Sequence, residues 1–286
     1  MTNTEFQEGS PRSHISRSPL SQDQDHRPTG QVTGDLHARH ARLPRLLPVC
    51  DAAAAYHLVY RRVDALIRDR AQVAELTVPA CPAWTIRQTV AHLAGIAQDI
   101  VSSNMEGKAG DSWTQAQVDR LAGHSIDELL DLWGRIIDDV STTLALGSEG
   151  SACQLVFDAI SHEHDIRGAL SEPGSRTGDL VFEVALGFLT TMGDQFIRHA
   201  RMPAFRLTTP TLGSVQLGDP HTAQGQIALS ISDFEALRAF GGRRSLRQLL
   251  ALPWQGDPTE LLPAFTHLLP AVSNDGIRPP DDDLVE

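Results

Sequence analysis

The sequence predicts an α+β protein, an antiparallel four-helix bundle followed by a smaller α/β domain. Three observations carry that reading. Long stretches with helical periodicity fill the chain from about residue 47 to 201, short alternating runs occur only beyond them, and Pro and Gly clusters punctuate both kinds of sequence. With 286 residues, 41% of them hydrophobic, the chain can bury a sizeable core.

Residues 1–45 are expected to form a disordered tail. They hold a single aromatic residue, Phe6, among scattered Ser, Gln, Gly, Pro and His, too little apolar surface to offset the entropy of ordering. The run VCDAAAAYHLVYRRVDALIRDRAQV, ending at Val73, is rich in Ala, Leu and Arg without Gly or Pro and reads as the first helix. The loop TVPACPAW follows. Thr85, with Gln88 three residues on, has capping-box spacing and opens a second helix whose apolar stripe is Ile86, Val90, Leu93, Ala97 and Ile100.

Gly107 and Gly110 break that pattern, and Ser125 with Glu128 repeats the capping spacing before a third helix that ends near Gly147. A fourth helix, about 151–170, stops at Pro173 and Gly174. Four such helices joined by loops predict the bundle, residues 46–175. A fifth helix, about 180–201, opens the second domain, 176–275. There FRLTTP, SVQLGD and GQIALSIS read as strands, and 233–240, 245–252 and 259–269 as short helices. The acidic, Pro-containing end, 276–286, is expected to be exposed.

The formal net charge is −12. The tail is close to neutral, so the acidity belongs to the body and argues against a phosphate-tracking surface and against nucleic acid as a partner. Cys50, Cys81 and Cys153 are odd in number and widely spaced, which suggests neither a disulfide framework nor a zinc ribbon and fits a reducing compartment. There is no apolar leader and no run of about 18 uninterrupted apolar residues, so a soluble, cytoplasmic protein with no membrane partner is expected. The only lysine is Lys108 against 23 arginines, the bias of a GC-rich genome.

Asp158 and His162 stand four residues apart on the fourth helix, so their side chains share one face and can reach one ion. Leu155, Ile166 and Ala169 put that face on the apolar side, where polar groups need a partner. His92, in mid-helix, could complete a three-ligand site with an open position. The same spacing also fits a plain helix-surface hydrogen bond. Glu163, His164, Asp165 and Arg167 cannot all face inward at about 100° per residue, and most of them read as surface or outer partners.

At these residues a family resemblance enters. VPACPAWTIRQTVAHLAG (78–95) and DAISHEHDIRGAL (158–170) resemble the two metal-site signatures of the mycothiol-dependent maleylpyruvate isomerase family, and GGRRSL with ALPWQGD resembles the C-terminal segment of such proteins. The resemblance spans about residues 45–275. It implies a DinB-like metal-binding bundle followed by a sterol-carrier-like domain. It also implies a divalent metal, zinc foremost, held by His92, Asp158 and His162, with mycothiol as cosubstrate and a small electrophile as substrate. One departure is visible: the family's carboxylate is often glutamate, and Asp158 is one methylene shorter.

The chemistry implied is isomerisation or S-transfer. A thiol at the metal would lose its proton and add as thiolate to an electrophilic carbon. For an isomerase, addition next to a carbonyl makes a double bond rotatable, and elimination releases the trans isomer; for a transferase, the adduct leaves. Negative charge builds on substrate oxygens in either case, and Arg243 or Arg244 could hold a carboxylate, although the pair also fits a helix-terminal surface. Two alternatives keep the scaffold: a non-catalytic ligand-binding or regulatory module, and a metal-dependent hydrolase using water in place of thiol. Cys81 is expected to pack in its loop and Trp84 to act as a hydrophobic staple. Beside these motifs the arginine bias fits an actinobacterial source.

Overall fold

Pro48 stands just ahead of the first helix, α1 (Val49–Ile67), in a computed structural model that describes residues 41–108, 110–176, 178–222, 227–266 and 280–286. The tail expected over 1–45 lies outside the described residues as far as residue 40, as do 267–269 of the last expected helix and residues 276–279. α1 is shorter than its composition suggested. Arg68 turns extended and Asp69 takes a left-handed φ of 60°, so Ala71–Val73 form a separate 3₁₀ turn.

TVPACPAW, expected as a loop, is an antiparallel hairpin of β1 (Thr77–Val78) and β2 (Cys81–Thr85). Its last residue caps α2 (Ile86–Ser102). The Gln88 N–H donates to Thr85 Oγ1 at 3.3 Å and the Thr85 N–H to Gln88 Oε1 at 2.9 Å, the reciprocal pair that the spacing predicts. The second capping box, Ser125 with Glu128, opens α4 (Ile126–Leu144), and Ser148 caps α5 (Glu149–Leu170). Between α2 and α4 lies a helix that the sequence pattern does not predict, α3 (Asp111–Arg120), too polar to show an apolar stripe. It rests on α2 at Gly95, where a Cβ would come within 2.5 Å of Gln117 Cβ.

Four helices close a ring: α2 packs on α4, α4 on α1, α1 on α5 and α5 on α2. Trp133 of α4 is fully buried against Tyr56 and Tyr60 of α1. Burying each large apolar side chain of this kind contributes about 1.5–3 kcal/mol. α5 is buried on almost every side because a further helix, α6 (Leu180–His199), covers it and α1. Among the described helices only α6 is long and apolar enough to cross a membrane, and most of it is buried inside the protein.

The α/β part follows as expected. β3 (Phe205–Thr209), β4 (Gly213–Leu217), β5 (Ile227–Ser230) and β6 (Trp254–Gln255) form one sheet in the order β4-β3-β5-β6. β3 pairs antiparallel with β4 and parallel with β5, and β6, which the sequence did not suggest, closes antiparallel on β5. Short helices α7 (Asp233–Phe240), α8 (Leu246–Leu250) and α9 (Leu262–Thr266) accompany the sheet, and Phe205, Phe240, Trp254 and Phe265 cluster between these elements.

Two terminal expectations change. Arg42, assigned to the tail by composition, bridges the edge of β4, its N–H donating to the Ser214 carbonyl and its carbonyl accepting from Gln216 N–H. An unpaired strand edge supplies the partners that the composition could not reveal. At the other end Asp281, Asp282 and Val285 are exposed, but Glu286 turns inward between Arg238 and Arg244, and Asp283 accepts from Ser245 Oγ. Buried guanidinium groups need carboxylates, and this segment provides one.

Candidate metal centre

The site starts from α2 and α5, the two helices that meet across the bundle behind the β1–β2 hairpin. His92 comes from the buried middle of α2, and Asp158 and His162 lie one turn apart on α5. Asp158 Oδ2 stands 3.6 Å from His92 Nε2, and Asp158 Oδ1 stands 3.8 Å from His162 Nε2. One ligand atom from each of the three residues lies within 4.8 Å of the others. The structure therefore brings together the three residues singled out from spacing and resemblance. Both histidine side chains are nearly buried, at 5% and 7% exposure, whereas Asp158 is 32% exposed and marks the side from which the cluster is reached.

The donor set fits a borderline divalent cation. Two imidazole nitrogens and one carboxylate oxygen are the ligand types that zinc takes, and atoms bound to one tetrahedral zinc stand about 3.3 Å apart, slightly closer than here. Among the described residues Asp158 Oδ2 has no hydrogen-bond partner, a buried charge-bearing atom beside His92 Nε2. Burial works against the charge on Asp158, but His92, His162 and Arg243 outweigh it and hold the carboxyl below the usual carboxylate range.

A hydrogen-bond chain sets the tautomer of His92. Asp99 can only accept, so the Gln117 amide turns its Nε2 to Asp99 Oδ2 at 2.7 Å, with Arg120 and Asn104 also donating to Asp99. Gln117 Oε1 then faces His92 Nδ1 at 2.8 Å, which must carry the proton. His92 Nε2 is left as a lone pair directed at Asp158. Gln117 belongs to α3, whose largely polar sequence carries no helical stripe that would point to it as a partner.

His162 has a charged neighbour instead. Its Nδ1 lies 3.1 Å from Asp165 Oδ2, off the line of a straight hydrogen bond. Burial alone would lower the His162 pKa, but Asp165, Cys81 and Asp158 outweigh it, and the imidazole is pushed up to about 10. Asp165 is fully buried and also accepts from Arg238 Nη2 at 2.7 Å and from Arg243 Nε and Nη2 at 3.2 and 3.0 Å. Burial opposes its charge, yet the two guanidinium groups and His162 hold it well below the carboxylate range. Cys81, His162 and Asp165 make a second set of possible ligand atoms within 4.8 Å. Two arginines already neutralise that carboxylate, so a cation there would meet repulsion.

The HEHD run is not a surface feature. Glu163, His164 and Asp165 are buried along with His162 because α5 is enclosed by its neighbours. Glu163 accepts from Arg167 Nε at 2.9 Å, and His164 lies between Phe182 and Phe234, where burial and then Arg238 and Arg167 push it down to about 3, leaving it neutral. The arginine surplus that marked the composition supplies partners for these carboxylates.

The remaining residues divide. Trp84, expected as a staple, packs at a tilt against both histidines, with ring centroids 5.1 Å from His92 and 6.0 Å from His162, and forms a wall of the site. Cys81 lies 3.6 Å from Arg243 Nη2 and from Asp165 Oδ2. Arg243 reaches the site, but four of its five N–H groups are engaged, by Asp165, Cys81 and the Gly241 carbonyl. Arg244 points elsewhere, to Glu235 at 2.7 and 3.0 Å and to Glu286 at 2.7 Å. A separate cavity of about 260 Å³, between residues 42–47, α6 and the β3–β4 turn, contains none of the candidate ligands.

Residues 52–167 match the family model of the mycothiol maleylpyruvate isomerase N-terminal domain. Two solved structures are similar to the chain, a crystal structure of the mycothiol-dependent maleylpyruvate isomerase and one of a histidine-to-alanine mutant. Each is 14% identical and aligns over 69% of this chain and 90% of its own, with TM-scores of 0.47 and 0.48. No curated protein sequence matches the chain. The matched stretch, residues 52–167, contains His92, Asp158 and His162, and over it the chain is similar to the mycothiol maleylpyruvate isomerase N-terminal domain family.

Proposed function

We propose that this protein is a cytoplasmic, divalent-metal-dependent enzyme that uses a low-molecular-weight thiol, mycothiol, either to isomerise a small electrophile or to be joined to it through sulfur. The observation that carries the reading is the convergence of His92 Nε2 and His162 Nε2 on the two oxygens of Asp158. His92, Asp158 and His162 would hold the ion, zinc foremost, and the ion supplies the Lewis acidity that favours thiolate over thiol.

The chain's own residues do the rest. Gln117 holds His92 with its lone pair facing inward, and Trp84 closes one side of the histidine pair and keeps water from it. Arg243, with one N–H unspent among the described residues, is placed to meet an anionic oxygen of the substrate. Arg244, committed to Glu235 and Glu286, drops out of the site. In this reading residues 46–175 carry the ligands, and residues 176–275 add Arg243 and Arg238 from the other side.

Metal analysis tests the proposal. Protein purified without chelator should carry close to one zinc or other divalent ion per chain, and His162→Ala should lose it. Turnover of electrophilic substrates should need both metal and mycothiol. A wild-type chain that binds no divalent ion ends the enzyme reading, and metal-dependent turnover that needs no thiol makes the protein a hydrolase.

A further inference from the structure

The two candidate histidine ligands are held by different parts of the chain. The Gln117–Asp99 relay behind His92 lies within the helices, α2 and α3 with the turn after α2. Asp165, beside His162, is instead gripped by Arg238 of α7 and Arg243 of the α7–α8 loop, both from the C-terminal part. Arg238 is in turn fully buried, donates to the Ser161 carbonyl at 3.3 Å and pairs with Glu286. These contacts link α5, α7 and the last described segment through one guanidinium, that of Arg238.

We infer that Asp165 is the positioning residue of His162, holding Nδ1 so that Nε2 faces Asp158, and that Arg238 makes metal affinity depend on the C-terminal part of the chain. The inference rests on the metal-site reading above. An imidazole ligand has two equivalent-looking nitrogens, and an acceptor fixed behind one of them decides which is left for the ion. Asp165 sits 3.1 Å from Nδ1, while Nε2 is on the Asp158 side. The carboxylate itself cannot swing away, because its two oxygens are taken by two guanidinium groups that belong to another layer of the fold. Loss of Arg238 removes the shortest of these contacts and leaves Arg243 alone to hold the carboxylate, which loosens it.

Three measurements on the full chain test this. In the zinc-loaded wild-type protein, long-range ¹H–¹⁵N NMR should show His162 coordinated through Nε2 with its proton on Nδ1; coordination through Nδ1 overturns the inference without any variant. Cobalt affinity, read by chelator competition and the visible cobalt spectrum, should fall about 10–100-fold in Asp165→Asn. Asp165→Glu should recover part of the loss. An Asp165→Asn protein that binds cobalt within about twofold of wild type overturns the positioning role. Arg238→Gln should weaken cobalt several-fold, and the double variant should be no weaker than Asp165→Asn alone; losses that simply add overturn the coupling. A wild-type chain that binds no cobalt refutes the metal reading itself, whereas binding that ignores Asp165 refutes only this inference.

Discussion

Replacing Gly95 by alanine puts a methyl group where Gln117 already stands. The new Cβ would lie 2.5 Å from Gln117 Cβ, 2.9 Å from its Cγ and 3.3 Å from its Cα. Carbon atoms in contact sit about 3.5–4.0 Å apart, so α3 must back away from α2 by roughly 1 Å. The displacement falls on the 2.8 Å bond from His92 Nδ1 to Gln117 Oε1, which is lost once it stretches beyond about 3.5 Å. Two effects oppose each other. Alanine gains about 1 kcal/mol of helix propensity over glycine, while overpacking costs about 1–3 kcal/mol and a broken buried hydrogen bond about 1 kcal/mol more. The costs win by about 1–3 kcal/mol, which lowers the Tm of the metal-free protein by roughly 3–10 °C. Because His92 also loses the acceptor that orients it, cobalt affinity should fall by about tenfold. Gly123→Ala, with nothing within 4 Å of the added carbon, is the control and should change neither quantity. A Gly95→Ala protein that melts at the wild-type temperature and holds cobalt as tightly would show that α3 does not position His92.

The metal-free protein should respond to pH through His162, whose pKa is pushed up to about 10 from an ordinary value of about 6.5. A raised folded pKa means that the charged ring stabilises fully below about pH 6.5 and that this stability is lost as pH rises through about 10, so the urea midpoint should decline across that window. Zinc binding near neutral pH needs the neutral ring and should release about one proton, read from calorimetric enthalpies in buffers of different ionisation heat; an enthalpy independent of buffer would contradict the assignment. Glu163→Ala leaves Arg167 and Arg62 facing an emptied buried position and should cost about 3–5 kcal/mol in urea unfolding, with Glu163→Gln costing less. Equal stability of the alanine variant and wild type would mean that those contacts contribute nothing.

Much of the helical half is legible from local chemistry. Thr85 with Gln88 and Ser125 with Glu128 mark helix starts because a capping box is a contact between residues three apart, complete within the sequence. The three candidate ligands were legible for a similar reason: Asp158 and His162 share a helix face by spacing, and His92 came from a short motif. α3 and β6 were not legible. One is largely polar, with only Trp113, Ala116 and Val118 as apolar residues, and the other is two residues long, and each packs on a neighbouring element. Trp84 looked like a staple because its sequence position allows one, and only the packing of the hairpin over α2 and α5 turns it onto the histidines.

By itself the sequence determined the capped starts of α2 and α4, the order of a helical part before an α/β part, and the residue types able to hold a metal. These are properties of neighbours along the chain, set by backbone hydrogen bonding and side-chain period. Only the tertiary structure decided which polar residues face inward and what satisfies them. Glu163, His164 and Asp165 look solvated in sequence, and all three are buried because α5 is covered on nearly every side. A buried charge must find its counter-charge wherever the fold places one, and for Asp165 those partners, Arg238 and Arg243, are separated from it by 73 and 78 residues.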